Sequence, residues 1–354
     1  MSSTLPSDSI STAVVGFGLS ARVFHLPFIH TLPDFTLAAL STRQREDARQ
    51  ACADAAVFAG AEQLIRESDV ELVVITAPNQ FHYPLAKLAL EHDKHVILEK
   101  PLVLTVAEGR DLIETARQCG KLLIPYHNRR WDGDFLTLQQ LIRSGRLGRV
   151  KRLESHFNRF RPQPRQRWRE QDLPGAGFLY DLGPHLIDQA LALFGRPQAL
   201  TATVKNTRDG AESCDYFHLQ LHYADTEVLL HADAFTAGPD LRFRVQGDRG
   251  TYLKYGKDPQ EDRLRAGQPP DGDDWAAESP EAYGTLYQEA GSEVVATLTG
   301  GYQHFYREVA AAIRQNAPLT VTAEAALQSI HLIELALQSA DQGLRLPLED
   351  SEGG

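Results

Sequence analysis

The stretch ISTAVVGFGLSA, residues 10–21, decides the fold class of this chain. An apolar run leads directly into Gly16 and Gly18, and Ala21 follows three residues after the second glycine. In the pattern G-x-G-x-x-A, the first glycine permits a tight turn and the second lets backbone N–H groups approach a pyrophosphate. Ala21 allows the following helix to pack closely on the strand. The stretch therefore predicts a dinucleotide-binding turn between a strand and a helix.

Four further short apolar runs follow this turn, separated by helical stretches. The runs lie at residues 36–40, 71–76, 95–98 and 121–126. They are continuous rather than alternating, which is typical of parallel strands covered on both faces. The last helix between them has readable ends, because Thr105 and Glu108 form a capping box and Gly120 follows as a C-cap. The pattern predicts a doubly wound parallel sheet of the Rossmann type over residues 1–128.

The remaining residues, 129–354, predict a second domain of α/β class with an open, mainly antiparallel sheet. Helices are predicted at 135–142 and near 184–194, and a long strand at 150–160. Direct strand-to-strand order then predicts antiparallel pairing; the strands are expected at 199–204, 216–223, 227–233, 241–246, 251–255 and 293–298. Residues 258–291 read as a long loop. The second of two terminal helices has Thr322 as N-cap and one apolar face, formed by Leu327, Ile330, Ile333 and Leu337.

The composition excludes several classes of function. The chain has 354 residues with 36 Lys and Arg against 47 Asp and Glu, a formal net charge of −11, which repels nucleic acid and anionic membranes. No run approaches the roughly 20 apolar residues of a membrane span. The first nine residues carry no secretory signal, so we expect a cytoplasmic protein. Cys52, Cys119 and Cys214 are scattered and odd in number, which argues against disulfides and against a zinc site.

The end of the second predicted strand indicates which dinucleotide binds. An NAD site places Asp or Glu about 20 residues past the glycines to bind the ribose. Here the strand runs into Ser41, Thr42 and Arg43, and the first carboxylate is Glu46. Arg43 is suited to a 2′-phosphate, and Ser41 can donate a hydrogen bond to it. The pattern favours NADP over NAD; the alternative is an exposed arginine without a ligand.

Two sets of residues are candidates for the chemistry. Glu99, Lys100 and Pro101 follow a parallel strand at the edge where this fold binds ligands, so Lys100 is placed to polarise a carbonyl or relay a proton. A solvated surface lysine is the alternative. Asp181 and His185 are four residues apart, so a helix puts them on one face, where His185 could accept a hydroxyl proton. The alternatives are Asp181 as an N-cap with His185 as a packed imidazole, or a metal pair.

Two basic and aromatic stretches, HNRRW at 127–131 and RQRWR at 165–169, admit two interpretations. Arginines interleaved with tryptophans bind RNA in some proteins. In a chain of this acidity, contact with a phosphorylated cofactor or a polyol is favoured.

The order of these motifs resembles the Gfo/Idh/MocA oxidoreductase family over nearly the whole chain. The resemblance rests on GFGLSARVFHLPFI, TAPNQFHYPLA, HVILEKPL, YHNRRWDGDFLTL, GAGFLYDLGPHLIDQ and DYFHLQLHY. FNRFRPQPRQRWRE and YLKYGKDPQEDRLRAG are most similar to its NADP-dependent scyllo-inositol dehydrogenase branch. The resemblance implies catalytic roles for Lys100, Asp181 and His185. It also implies oligomers, here a homodimer or homotetramer, built partly through the exposed face of the second sheet.

The resemblance thus implies an NADP(H)-dependent dehydrogenase of a cyclic polyol or sugar. A reductase of another carbonyl compound and a non-enzymatic dinucleotide sensor are the alternatives, although a sensor is expected to have lost the lysine or the histidine. No metal is expected. The residues expected to contact the dinucleotide are Gly16, Phe17, Gly18, Leu19, Ser41, Thr42, Arg43, Pro78, Asn79, His82, Glu99, Lys100, Asn128, Trp168 and Arg169.

Overall fold

The computed structural model describes residues 9–272 and 274–348. Residues 1–8, on which the prediction about a secretory signal depends, lie outside this part of the chain. The described residues form two compact units. The first contains the chain up to Trp131 together with Pro259–Ala276 and Gly301–Leu327, and the second contains Asp132–Asp258, Ala277–Gly300 and the chain from Gln328 onward. The sequence predicts a single boundary after residue 128, whereas two later segments belong to the first unit.

The helices and strands are numbered in chain order. The strands are β1 (Ile10–Val15), β2 (Phe35–Ser41), β3 (Ala56–Phe58), β4 (Leu72–Ile75), β5 (His95–Leu98), β6 (Leu123–Pro125), β7 (Val150–His156), β8 (Ala199–Lys205), β9 (Tyr216–His222), β10 (Glu227–Ala232), β11 (Leu241–Gly247), β12 (Thr251–Tyr255), β13 (Gly284–Gln288), β14 (Gly291–Val295) and β15 (Leu346–Pro347). The helices are α1 (Leu26–Thr31), α2 (Arg45–Ala51), α3 (Ala61–Glu67), α4 (His82–Glu91), α5 (Val106–Cys119), α6 (Gly133–Arg143), α7 (Gly177–Phe194), α8 (Gln260–Arg265), α9 (Gln303–Gln315) and α10 (Ala323–Gln342).

The first unit contains a six-stranded sheet in the order β3-β2-β1-β4-β5-β6, and each pair of neighbours runs parallel. The predicted doubly wound parallel sheet is therefore confirmed. Its central strands are largely buried, with Val14, Val74 and Ile97 among the core side chains. The order reverses between β1 and β4, and ligands of such sheets bind outside the carboxyl ends of the strands at that point.

The capping box of α5 is present as predicted. The backbone N–H of Glu108 donates to Thr105 Oγ1 at 3.2 Å, and the N–H of Thr105 donates to Glu108 Oε2 at 3.2 Å. The helix ends at Gly120, whose φ of +62° is accessible to glycine at little cost. These contacts are local, which is why the sequence alone predicts both ends of this helix.

The second unit contains a nine-stranded sheet in the order β14-β13-β12-β11-β7-β10-β9-β8-β15. β7 and β10 pair parallel and the other neighbours pair antiparallel, so the mainly antiparallel prediction is confirmed. The parallel pair was not predicted, because α7, β8 and β9 separate its strands in the sequence. In β9, Phe217, Leu219 and Leu221 are buried, whereas Tyr216 and His218 are half-buried on the opposite face.

Several predicted element bounds are wrong, and tertiary contacts explain the main case. The helix expected near 184–194 begins at Gly177, so Pro184 lies inside α7. Gly177 has φ +87°, and a Cβ there would lie 2.6 Å from Cys214 Sγ. The Phe178 N–H donates to the Cys214 carbonyl at 2.6 Å. This contact with a distant segment fixes the start of α7.

Other predicted bounds differ from the structure because short or amphipathic helices and strands lie in polar stretches of the sequence. The expected loop at 258–291 contains α8 and β13, and the strand expected at 293–298 is β14, Gly291–Val295. The strand expected at 150–160 ends at His156. The edge strand β3 was not predicted, since it has three residues and none of them is buried.

The predicted apolar face of α10 is correct only over its first half. Thr322 Oγ1 accepts from the Ala325 N–H at 3.2 Å, which confirms the N-cap. Leu327, Ile330 and Ile333 are buried, but Leu337 is 40% exposed. Over the second half the buried face passes through Ser339, whose hydroxyl donates to the Leu344 carbonyl and accepts from the Ala202 N–H. These distant partners, rather than helical periodicity, decide which side is covered.

Candidate active site

The glycine turn after β1 has the geometry that its sequence predicts. Gly16 has φ +99°, and a Cβ there would lie 2.6 Å from Thr76 Oγ1, so only glycine fits. Its N–H donates to the Ser41 carbonyl at 2.9 Å. At Gly18 a Cβ would meet no described atom within 4 Å, so the backbone borders open space. Ala21 is fully buried at the helix–strand contact.

The chain after this turn is helical and contains a π-helical turn, Ala21–His25, before α1. The Arg22 N–H donates to the Gly18 carbonyl at 3.1 Å, which is the start of the helical hydrogen bonding. The amides that precede it are those a helix start presents to an anion. Open space at Gly18 together with these amides fits the pyrophosphate of a dinucleotide. Phe17 is buried, and Leu19 is half exposed beside the turn.

The carboxyl end of β2 lies beside the glycine turn. Ser41 is the last residue of β2 and is buried, and Thr42 Oγ1 accepts from the Gln44 N–H. Arg43 is exposed and forms no ion pair with any residue in the described ranges. Glu46 lies in the first turn of α2, where its carboxylate is 3.7 Å from Arg49. The end of β2 therefore presents hydroxyls and a guanidinium rather than a carboxylate.

The segment after β4 contains Pro78 and Asn79, and His82 is the first residue of α4. Asn79 and His82 are buried, and both ring nitrogens of His82 face carbonyl oxygens, Nδ1 that of Pro101 at 2.8 Å and Nε2 that of Ala77 at 2.9 Å. His82 was predicted to contact the dinucleotide. In the structure its ring links Ala77 to Pro101, the residue after Lys100, and the predicted contact with the dinucleotide stays a prediction.

Glu99 and Lys100 follow β5 at the same edge of the sheet, and the Lys100–Pro101 peptide bond is cis. The Glu99 carboxylate accepts from Ser20 Oγ, from the Lys100 N–H at 3.0 Å and contacts His25 Nε2 at 3.1 Å. Burial alone raises the pKa of Glu99, but the His25 contact, the nearby charge of Lys100 and the Ser20 hydroxyl lower it to about 2. The Glu99 carboxylate is thus buried and accepts from protein donors, and its predicted contact with the dinucleotide stays a prediction.

The basic stretch at 127–131 is largely internal. Asn128, Arg129 and Trp131 are buried, and Arg129 Nη2 donates to Glu261 Oε2 at 2.7 Å. Burial opposes ionisation of Glu261, but Arg129 and Arg265 lower its pKa to about 2. Arg129 and Trp131 are therefore buried by packing and ion pairing, which argues against an RNA-binding surface at this stretch.

Asp181 and His185 lie in the second unit, on α7. Asp181 is the fifth residue of α7, which rules out the N-cap interpretation, and His185 follows one turn later and is largely buried. Arg159 Nη1 lies 3.3 Å from Asp181 Oδ2, and Arg169 Nε lies 3.7 Å from Oδ1. Asp181 is therefore held between two guanidinium groups. Nothing in the sequence indicates the Arg159 contact.

Trp168 and Arg169 lie on the segment that approaches Asp181. The Arg169 guanidinium lies 4.6 Å from the centroid of the Trp168 ring. Glu170, the next residue, is buried and pairs with Arg167 and Arg208. Burial and the neighbouring arginines, Arg159, Arg165 and Arg167, lower the pKa of Arg161 to about 10. Of this basic segment, Arg159 and Arg169 contact the Asp181 carboxylate within the second unit.

Some kinds of site are not found in the residues that the structure describes. None of the helices described here has the length and apolar character to cross a membrane. In residues 9–272 and 274–348, no group of three or more His, Cys, Asp or Glu side chains is arranged to hold a metal ion. Cys52, Cys119 and Cys214 are all free thiols.

The fold and the residues at the edge of the first sheet define a dinucleotide-dependent oxidoreductase. Comparison with known families agrees. The profile described as "Oxidoreductase family, NAD-binding Rossmann fold" matches residues 10–127, and "Oxidoreductase family, C-terminal alpha/beta domain" matches residues 139–348. The chain belongs to the Gfo/Idh/MocA oxidoreductase family.

Curated relatives and solved structures match over almost the whole chain. The chain is 39% identical to scyllo-inositol 2-dehydrogenase (NADP(+)) IolW of Bacillus subtilis, over 97% of each protein. It is 41% identical to the uncharacterized oxidoreductase YdgJ of Escherichia coli, over 94% of this chain and 97% of YdgJ. The solved structure of yvaA from Bacillus subtilis superposes with a TM-score of 0.93 at 38% identity, covering 97% of this chain and 99% of yvaA.

Proposed function

We propose that this chain is an NADP(H)-dependent dehydrogenase that transfers hydride between nicotinamide and a cyclic polyol or sugar, with scyllo-inositol as the first candidate. The end of β2 carries the cofactor part of the proposal, since Ser41 and Arg43 stand where an NAD site has a carboxylate. The 39% identity to a scyllo-inositol 2-dehydrogenase that uses NADP supports both the cofactor and the substrate class.

Each catalytic candidate has a role that its chemistry supports. The bound nicotinamide supplies the hydride acceptor for alcohol oxidation. His185 accepts the hydroxyl proton as general base, and the Lys100 ammonium hydrogen-bonds the substrate oxygen and stabilises its developing charge. Asp181, held by Arg159 and Arg169, fixes a neighbouring hydroxyl. Reduction of the ketone uses the same groups in reverse.

A steady-state panel tests the proposal directly. Inositols and sugars are oxidised with NADP and with NAD in parallel, and ketoses and ketoacids are reduced with the reduced cofactors. We expect oxidation of at least one cyclic polyol with NADP at higher kcat/KM than with NAD. Activity restricted to open-chain carbonyl compounds would instead support the reductase alternative.

The cofactor preference has its own variant. In Arg43→Asp the new carboxylate repels a 2′-phosphate and accepts a hydrogen bond from a free 2′-hydroxyl, so we expect the preference to reverse towards NAD. Arg43 is exposed, and the substitution therefore leaves the fold intact. Equal kcat/KM with both cofactors in the unmodified protein would refute the NADP assignment.

The catalytic roles are tested by three alanine variants. Lys100→Ala and His185→Ala should each lower kcat by about two to four powers of ten, the usual contribution of a positioned proton-transfer group. NADP affinity should change far less, because the glycine turn is intact. Asp181→Ala should also raise the polyol KM. Near-normal kcat in both Lys100→Ala and His185→Ala would place the chemistry elsewhere.

We also propose that the protein is a cytoplasmic homodimer or homotetramer. The half-buried face of the second sheet, which carries Tyr216 and His218, offers a surface for a second copy, and closed symmetric assembly is the usual solution. Light scattering that gives the mass of one 39.3 kDa chain at working concentration would contradict the oligomer.

A further inference from the structure

A buried hydrogen-bond network in the first unit connects Tyr306 to the glycine turn and to Lys100. The Tyr306 hydroxyl lies 2.7 Å from His25 Nδ1, and His25 Nε2 lies 3.1 Å from Glu99 Oε1. The same Glu99 oxygen accepts from Ser20 Oγ, in the glycine turn. The other oxygen accepts from the Lys100 N–H at 3.0 Å. One carboxylate therefore contacts the dinucleotide-binding turn and the backbone of the catalytic lysine.

Water has no access to the centre of this network. His25 and Tyr306 are fully buried. The Tyr126 ring lies 4.3 Å from the His25 ring, and Phe28 is stacked on Tyr306 at 5.4 Å between ring centroids. In such surroundings a lost hydrogen bond is not replaced by solvent, so each residue of the network depends on the others.

One arrangement of protons satisfies every hydrogen bond of this network. Burial, and then the charge of Glu99, raise the pKa of Tyr306 well above its usual value, so its hydroxyl keeps the proton. With this hydroxyl donating to Nδ1, the imidazole carries its proton on Nε2 and donates it to Glu99. His25 then links a protonated phenol to an ionised carboxylate, and every polar atom of the link has a partner.

We propose that His25 and Tyr306 are positioning residues of the enzyme. They fix the Glu99 carboxylate, which holds Ser20 in the glycine turn and the backbone of Lys100 in place, so that cofactor binding and catalysis depend on the same buried group. The inference rests on the proposed roles of the glycine turn and Lys100. The π-helical turn Ala21–His25 ends on His25 itself, and such turns occur frequently at functional sites.

The test compares His25→Leu with His25→Gln, which keeps an amide donor, and with Tyr306→Phe, which removes a single oxygen. His95→Gln is the matched control. His95 lies at the opposite end of β5, and its Nδ1 accepts a hydrogen bond from the Leu122 N–H at 3.0 Å. Each protein is titrated with NADP and with NAD by fluorescence, its kcat is measured on the polyol, and its thermal midpoint is recorded.

We expect His25→Leu to lower kcat by about tenfold to a hundredfold, the effect of losing a hydrogen bond to a buried charged group. The dinucleotide Kd should rise several-fold. His25→Gln should recover part of both, Tyr306→Phe should change both in the same direction by less, and His95→Gln should leave both within twofold. If His25→Leu does not fold, the Tyr306→Phe result carries the test.

A lower thermal midpoint with unchanged kcat and Kd in both His25→Leu and Tyr306→Phe would overturn the proposal, because His25 would then serve stability alone. The titration uses no polyol. If the unmodified protein oxidises no polyol, the proposed substrate is wrong. The dinucleotide Kd still decides whether this hydrogen-bond network positions the glycine turn.

Discussion

The free energy of unfolding of the protein should depend on pH through Glu99, and a single substitution of this residue should remove that dependence. Its folded pKa of about 2 lies below the ordinary 4.5, so the folded protein binds fewer protons there than the unfolded chain. The stabilisation from ionised Glu99 is therefore complete above pH 4.5 and is lost as the pH falls through about 2. Glu99→Gln, which carries no titrating proton, should lack this pH dependence.

The magnitude follows from the same pKa. The difference between 4.5 and about 2 corresponds to about 3 kcal/mol, at about 1.36 kcal/mol per pH unit. The free energy of unfolding of the unmodified protein should thus approach that of Glu99→Gln by about 3 kcal/mol between pH 5 and pH 2. Other carboxylates titrate equally in both proteins, so they cancel in the comparison.

Urea unfolding at several pH values measures the difference. Two of the three tryptophans, Trp131 and Trp275, are buried in the first unit, so tryptophan fluorescence reports mainly on the unit that contains Glu99. Glu114→Gln is the matched control, because its pKa is also about 2 through Arg117 but its carboxylate is exposed on α5. Solvent and salt screen that pair, so its effect should be much smaller. A Glu99→Gln profile parallel to that of the unmodified protein would refute the reasoning.

Three further outcomes are expected. Gly18→Val fills the open space beside the glycine turn, so dinucleotide affinity should fall at least tenfold in a fluorescence titration while the thermal midpoint is unchanged; unaltered affinity would contradict this. Asp134→Ala leaves the fully buried Arg242 without its carboxylate at 3.2 Å, so urea unfolding should show a loss of about 3–5 kcal/mol, and a loss below about 1 kcal/mol would show that the pair is replaceable. Burial and neighbouring cations lower the pKa of His156 from 6.5 to about 4, so its contribution to stability is lost as the pH falls from 6.5 through 4; His156→Gln should unfold less readily with acid in that window, and identical acid sensitivity would contradict it.

The parts of the site that were predictable are local in sequence. Gly16 and Gly18 follow directly after a buried strand. That context requires a positive φ at Gly16 and open space beside the backbone of Gly18, and the structure has both. Lys100 follows a strand of the same kind, and Asp181 and His185 are one helical turn apart. Strand ends and helical spacing are set by neighbours within a few residues, so a single sequence carries them.

The parts that were not predictable depend on which distant side chains exclude water together. Tyr306 is 281 residues from His25, and nothing near either of them in the sequence indicates the contact. The sequence around Arg129 is that of a surface cation, but in the structure Arg129 pairs with Glu261, which lies far along the chain. The hydrogen bonds of His82 with the Pro101 carbonyl and of Glu99 with His25 were not predicted for the same reason.

The amino-acid order was therefore sufficient for the two sheets, the glycine turn and the helical spacing of Asp181 and His185, since apolar periodicity and short-range capping specify these features. Tertiary packing alone decided the parallel β7–β10 pair, the start of α7 at Gly177 and the partners of Glu99 and Asp181. A buried charge is stable only where donors from several elements surround it. Those donors are brought together by the packing of whole elements, which no local stretch of sequence encodes.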